Sequence, residues 1–174
     1  MMTEIVQDVI SDTEEVARII SQEWVIEGML MPQAFELAPK ETYLSVNRIR
    51  IPSYEDDVNA FVEKHSQFLA NDGRSYLRAI LGVCNIRNIK VNYDGKPLQI
   101  EVDIEPRAAH TLSHAGIFVK SDGKNVVSGR PLVNESLPEC VSAEMVLQQV
   151  QWELLELAEL QTQNVYQRDG SSDT

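Results

Sequence analysis

The chain has 174 residues, 43% of them hydrophobic, with 15 Lys and Arg against 27 Asp and Glu, a formal charge of −12. That length is expected to form one domain whose core needs neither a metal nor a disulfide staple. The negative field repels nucleic-acid phosphates and anionic lipid alike, excluding nonspecific nucleic-acid binding unless Arg74, Arg78, Arg87 and Lys90 gather into a basic patch.

The opening stretch, "MMTEIVQDVISDTEE", is acidic and lacks a basic region followed by an apolar core, so no secretory signal is expected. Ser11 and Glu14 have the form of a capping box, and Val16, Ile19 and Ile20 supply an apolar edge, which predicts a short N-terminal helix. In "EWVIEGMLMPQAFEL" a short strand near 24–26 leads into an irregular segment packed on the core. Residues 43–51, "YLSVNRIRI", read as a strand closed by Pro52. Ser53 then caps a helix with Glu55, Asp56 and Asp57 in its first turn; Val58, Phe61, Val62, Phe68 and Leu69 form its apolar face, and "NDG" at 71–73 ends it.

"YLRAILGVCNI", 76–86, is apolar almost throughout, as a strand covered on both faces would be, and Cys84 within it reads as a small buried hydrophobe. Asp94-Gly95 separates two extended runs, 89–93 and 97–104, as the turn of a hairpin. On the second run Leu98, Ile100, Val102 and Ile104 alternate with Gln99, Glu101, Asp103 and Glu105, the pattern of a strand with one wet face. Asp122-Gly123 repeats the turn between "HAGIFV" and "NVV", and 128–140 is a loop. Ser142 caps a last helix over 143–163, striped by Leu147, Val150, Leu154, Leu157 and Ala158. The expected fold is α+β, with residues 1–166 forming a mostly antiparallel sheet, two main helices and a short N-terminal helix. The polar tail 167–174 is expected to fray.

The chemistry-bearing residues concentrate in two places. "EPRAAHTLSHAGIFVK", 105–120, holds His110, Ser113 and His114 at the junction of two strands. As a nucleophile, Ser113 would need His110 or His114 as its base, yet sequence neighbours seldom reach that geometry and no nucleophile elbow is present. The alternative is that Ser113 and His114 satisfy backbone groups at the strand entrance. The spacing of the two histidines does not specify a metal site, and Cys84 and Cys140 lie too far apart for a zinc or redox motif. No metal and no cofactor are therefore expected. The second place is "LSVNRIRI", where Ser45, Asn47 and Arg48 are candidate ligand-binding residues, although an arginine there also suits pairing with one of the many carboxylates. His65 sits on the apolar seam of its helix and reads as a core residue.

"EWVIEGMLMPQAFEL", "YLSVNR", "LGVCNIRNI" and "SHAGI", taken in order over about residues 23 to 118, resemble the spine of a group of small bacterial proteins with no assigned activity. The matching positions are Ala34 and Phe35, then Leu44, Ser45 and Val46, then His114, Ala115 and Ile117. The resemblance implies a bacterial cytosolic origin and a set of residues that fold together, and it implies no reaction.

Two functions follow as expectations. One is a non-catalytic interaction or regulatory protein of the cytosol. It would meet a protein partner, or a second copy in a homodimer, through Trp152 and Leu155, which lie off the main stripe of the C-terminal helix. The other is an enzyme or small-ligand binder whose pocket lies between the 45–48 strand and the 107–114 loop. No nucleic-acid partner is expected, and no apolar stretch reaches the ~18 residues needed to cross a membrane.

Overall fold

The alternation of apolar and polar residues organises this chain into one sheet with a core on each face. The computed structural model describes residues 9–70, 73–132 and 136–165. In chain order these form β1 (Glu15–Ile20), β2 (Val25–Ile26), β3 (Met29–Leu30), β4 (Leu44–Arg48), α1 (Tyr54–Lys64), β5 (Ser75–Gly82) and α2 (Val83–Arg87). There follow β6 (Asn92–Tyr93), β7 (Lys96–Pro97), β8 (Ile100–Pro106), β9 (His114–Ser121), β10 (Lys124–Asn125), α3 (Ala143–Leu157) and β11 (Glu159–Asn164). The fold is α+β, and its main sheet runs β10-β9-β4-β1-β5-β11 with β8 also on β9, each pair antiparallel.

Because side chains alternate across a strand, the sheet sorts its residues between two layers. On one face Val16, Ile20, Leu44, Val46, Leu81, Ala115 and Ile117 pack with Ile100, Val102 and Ile104 under α3, which contributes Val146, Val150 and Leu154. On the other, Ala17, Ile19, Tyr76 and Ile80 meet Tyr54, Val58 and Val62 of α1 and the nearby Phe68. Ala34, Phe35, Leu44, Val46, Ala115 and Ile117, from the separated segments near 34, 45 and 115, all join the first core.

Several local expectations are met. Asp94-Gly95 and Asp122-Gly123 are both turns at positive φ (52° and 74°, 51° and 74°), the conformation a two-residue hairpin demands. Ile100 is buried and Glu101 exposed. The Ser142 hydroxyl accepts a hydrogen bond from the Met145 N–H at 3.2 Å and caps α3.

Other segments are rearranged by their tertiary partners. The expected N-terminal helix is strand β1. Ser11 N–H does donate to Glu14 Oε2 at 2.8 Å, one arm of a capping box, but the following residues lie between β4 and β5, where both faces are buried. The helix after Ser53 stops at Lys64, with Phe68 in a separate 3-10 turn, and Asn71 and Asp72 lie outside the described residues. His65 ends that helix exposed, its ring 4.7 Å from that of Phe61, and is not in the core. The apolar run from 76 is strand only to Gly82 and turns helical in α2, leaving Cys84 exposed.

The hairpin at Asp94 is shorter than its alternation suggests. Only Asn92–Tyr93 and Lys96–Pro97 pair as strands, with one further bond from the Leu98 N–H to the Val91 carbonyl at 2.7 Å. Residues 100–106 instead find seven register partners on β9. The C-terminal helix ends at Leu157, and 159–164 form β11 along the open edge of β5. The tail 167–174 lies outside the described residues.

Where β1 begins, Glu14 and Arg48 form a buried ion pair, Nε to Oε1 at 2.9 Å and Nη2 to Oε2 at 2.8 Å, and Arg50 adds a contact at 3.3 Å. Burial alone would raise the Glu14 carboxyl. The hydrogen bonds from Arg48 and the Ser11 N–H, with the positive charges of Arg48 and Arg50, outweigh it and hold the group below its ordinary 4.5. A depressed folded value adds stability that is present above the unfolded carboxyl value and is lost as pH falls through the folded one. Arg48→Met, which leaves the buried carboxylate with only the Ser11 N–H and the half-exposed Arg50, is expected to cost about 3 kcal/mol in urea denaturation at neutral pH. Glu14→Leu with Arg48→Met should recover most of that loss and flatten stability across the acid range. An Arg48→Met variant as stable as the parent would show that the pair does not join β1 to β4.

Candidate functional site

The register of β1, β4 and β9 places a row of polar side chains on the α1 face. Ala17 is opposite Asn47, Asn47 opposite His114, and Ser45 opposite Gly116, so Ser45, Asn47 and His114 share one side of the sheet. The β1–β4 ladder has just two register pairs, Val16 with Arg48 and Ala17 with Asn47, and then the strands part. Arg18 enters the gap. Its Nε donates to the Ala34 carbonyl, its Nη1 donates to the Ser45 carbonyl at 2.9 Å, and its guanidinium lies 5.3 Å from the Trp24 ring centre.

The loop between β8 and β9 is tied down from two directions. Tyr43 packs across Gly116, where an added Cβ would come within 2.5 Å of its ring. Arg107 lies over Tyr43 and Phe118, with ring centres 5.0 Å and 4.6 Å from its guanidinium carbon. At the other end of the loop Ser113 is fully buried. Its hydroxyl donates to Asp57 Oδ2 at 2.7 Å and accepts from Asn47 Nδ2 at 2.9 Å, while its N–H donates to the same Oδ2 at 3.1 Å. The Ser53 hydroxyl supplies a third donor to that oxygen at 2.9 Å. Asp57 Oδ2 is thus saturated and the carboxylate is locked in place, while these three bonds leave Oδ1 uncommitted.

Between α1, the loop and the sheet lies a cavity of 350 Å³. Arg18, Ser45, Asn47, Asp57, His110 and His114 supply its polar lining, and Trp24, Phe61 and Phe68 an aromatic wall. Phe61 and Phe68 stand 5.0 Å apart and Trp24 meets Phe68 edge-on at 6.3 Å. The His110 and His114 rings are 5.0 Å apart. Burial pushes the His114 imidazole below its ordinary 6.5, and the neighbouring His110 pushes the same way. His114 Nδ1 is buried without a hydrogen-bond partner.

Ser45, Asn47, His110 and His114, expected from two distant segments, therefore converge on one cavity. Ser113 lies beneath it as a brace. With its proton donated to Asp57 and its surface closed, it is not placed to attack a substrate. Arg48 faces away and is engaged by Glu14. Trp152 and Leu155 belong to α3 on the opposite layer, where Leu155 packs partly against the core and Trp152 is 50% exposed. Among the described residues no group of three or more His, Cys, Asp and Glu side chains is arranged to hold a metal.

Arg78 bonds Tyr54 and Gln161, whereas Arg87 bonds Asp12 and Asp103, so these two cations are committed to separate partners. Arg18, Asp57 and the aromatic wall were not legible as site residues. The one available signal was Arg18 itself, a charge inside the apolar run "VARII".

A folded-state value below that of free imidazole means that the unfolded chain binds the His114 proton more tightly. Stability should fall as pH drops through the ordinary histidine value of 6.5 and level off below the folded one. An NMR titration of the His114 ring protons is expected to give a midpoint below 6.5. A midpoint at or above it would show the ring to be solvated or facing a carboxylate.

Comparison with known protein families, curated proteins and solved structures finds no match to this chain.

Proposed function

We propose that the protein is a small-molecule binder whose ligand occupies the cavity between α1, β4 and the 107–114 loop. The observation that carries this reading is Asp57: three donors hold one carboxylate oxygen, and the same side chain lines an aromatic-walled cavity. A carboxylate so restrained loses little entropy when a ligand engages it, which is how preorganisation raises affinity. The volume and the mix of aromatic wall with few polar groups suit a small organic ligand. Binding is favoured over acyl transfer by Ser113, the serine that adjoins His114 in the chain, because that hydroxyl is closed off. The proposal includes a bacterial cytosolic setting, supported by the segmental resemblance and by two free cysteines.

The chain has two tryptophans, and of these Trp24 lines the cavity while Trp152 does not. In Trp152→Phe, emission therefore reports on Trp24, which lines this cavity and the neighbouring depression, and loss of the response in His114→Ala assigns it to the cavity. A panel of small carboxylates, amines, amino acids, sugars and nucleosides is expected to contain compounds that change Trp24 emission and raise the melting temperature. A ligand at 100 times its Kd would add about 2.7 kcal/mol. His114→Ala should weaken those compounds. A panel without one responding compound would overturn the reading.

A second reading, a protein-interaction role for α3, is favoured by the 50% exposure of Trp152. A half-exposed tryptophan outside both cores is available to a protein partner or a second copy. Trp152→Glu is expected to leave the circular dichroism spectrum and melting cooperativity intact while abolishing a dimer or complex in sedimentation. A parent protein that sediments as a monomer with and without cell extract would remove this role.

A further inference from the structure

We infer that the cavity selects a zwitterionic amino-carboxylate, a small molecule with an ammonium at one end, a carboxylate at the other and an apolar body between or beside them. The inference rests on the ligand-binding reading above and assigns its ligand class. At one end stands Asp57, with Oδ2 filled by Ser53 and Ser113 donors. A planar fork donor such as a guanidinium or a guanine edge needs both carboxylate oxygens. One remaining oxygen suits a point donor, and an ammonium is the point donor whose charge matches it. The aromatic faces of Phe61 and Phe68 beside it favour a cation in the same way.

At the other end stands Arg18. Of its five N–H groups, Nε serves the Ala34 carbonyl and Nη1 gives one hydrogen to the Ser45 carbonyl, so three remain. Among the described residues no carboxylate forms an ion pair with it within 4.0 Å. Arg18 lines both this cavity and the neighbouring depression, and Glu41, whose charge acts on it, lines the depression alone. The free hydrogens of Nη1 and Nη2 suit a carboxylate. Within the cavity the remaining polar groups are hydroxyls, an amide and two imidazoles, of which His114 is held towards its neutral form. One cation and one anion line the space, so a ligand with one charge of each sign leaves neither unpaired.

Ser45, whose carbonyl fixes Arg18, and Asn47, which reaches Asp57 through Ser113, are two residues apart on β4, so both charged groups are anchored to one strand.

The probes are L-phenylalanine, L-leucine, 4-aminobutyrate and 4-(aminomethyl)benzoate, each compared with two half-ligands, 3-phenylpropionate and 2-phenylethylamine. Binding is measured by calorimetry and by Trp24 emission in Trp152→Phe. At least one zwitterion is expected to bind with Kd below about 1 mM and at least about tenfold tighter than either half-ligand. In Asp57→Asn that zwitterion should fall to the affinity of 3-phenylpropionate, whose own binding should not weaken. Should Asp57→Asn fail to fold, the half-ligand comparison on the parent decides.

A half-ligand that binds as tightly as the best zwitterion overturns the inference. So does the absence of zwitterion binding while other compounds in the broader panel change Trp24 emission, an outcome that leaves the cavity a ligand site of another class. Silence across both sets overturns the ligand-binding reading itself.

Discussion

Glu14 and Arg48 meet in a doubly hydrogen-bonded pair with almost no water around it, and much of the architecture is arranged about that contact. A buried carboxylate and guanidinium cannot be left apart without a large desolvation penalty, so the residues that carry them are drawn together. Glu14 precedes the first residue of β1 and Arg48 is the last of β4. Pairing them fixes Val16 opposite Arg48 and Ala17 opposite Asn47, which is the whole of the β1–β4 register. Whether such a pair adds net stability over an apolar substitute is a separate matter. Its physical role here is to specify which residues face each other.

That register has a consequence at the far end of β4. Beyond Ala17 the two strands separate, and the vacated ladder positions would leave the Ser45 carbonyl without a partner. The Arg18 side chain supplies the missing donor, and in doing so brings a cation into the sheet beside Trp24. The same register sets Asn47 beside His114 and aims its amide at Ser113, which in turn holds Asp57 on α1. A structural pair on one face is thus connected, through strand geometry alone, to a cavity on the other. The buried polar groups around Ser113 are satisfied by one another, as a low-dielectric interior requires. Asp57 Oδ1 and the Arg18 Nη2 hydrogens are left uncommitted in the lining, and they are the groups the proposed ligand would meet.

Net charge and local charge diverge in this molecule. The chain as a whole is strongly acidic, yet the cavity is lined by Arg18 and Asp57 together with hydroxyl, amide and imidazole groups. The surplus carboxylates dominate the long-range field, while the proposed ligand would meet groups a few ångströms away, where screening by water is weakest.

What the sequence determined by itself was the set of features governed by neighbours along the chain. The alternation from Ile100 to Glu105, the two Asp-Gly turns, the acidic first turn of α1 and the Ser142 cap all depend on residues within a few positions, and each is present. The meeting of "LSVNR" with the histidine loop at one pocket was legible as an expectation, though with Arg48 in the place that Arg18 takes. Tertiary structure decided the rest. Residues 15–20 carry an apolar edge that suits a helix or a strand equally, and burial between β4 and β5 selected the strand. The end of the long C-terminal helix was converted to β11 because an open edge on β5 offered its backbone a ladder. The β8 residues left their hairpin for a longer partnership of seven register pairs with β9. Asp57 and Arg18 became cavity residues through hydrogen bonds to Ser113 and Ser45, 56 and 27 positions away. Such contacts leave no periodic trace in the chain, because they exist only once distant strands have settled their register.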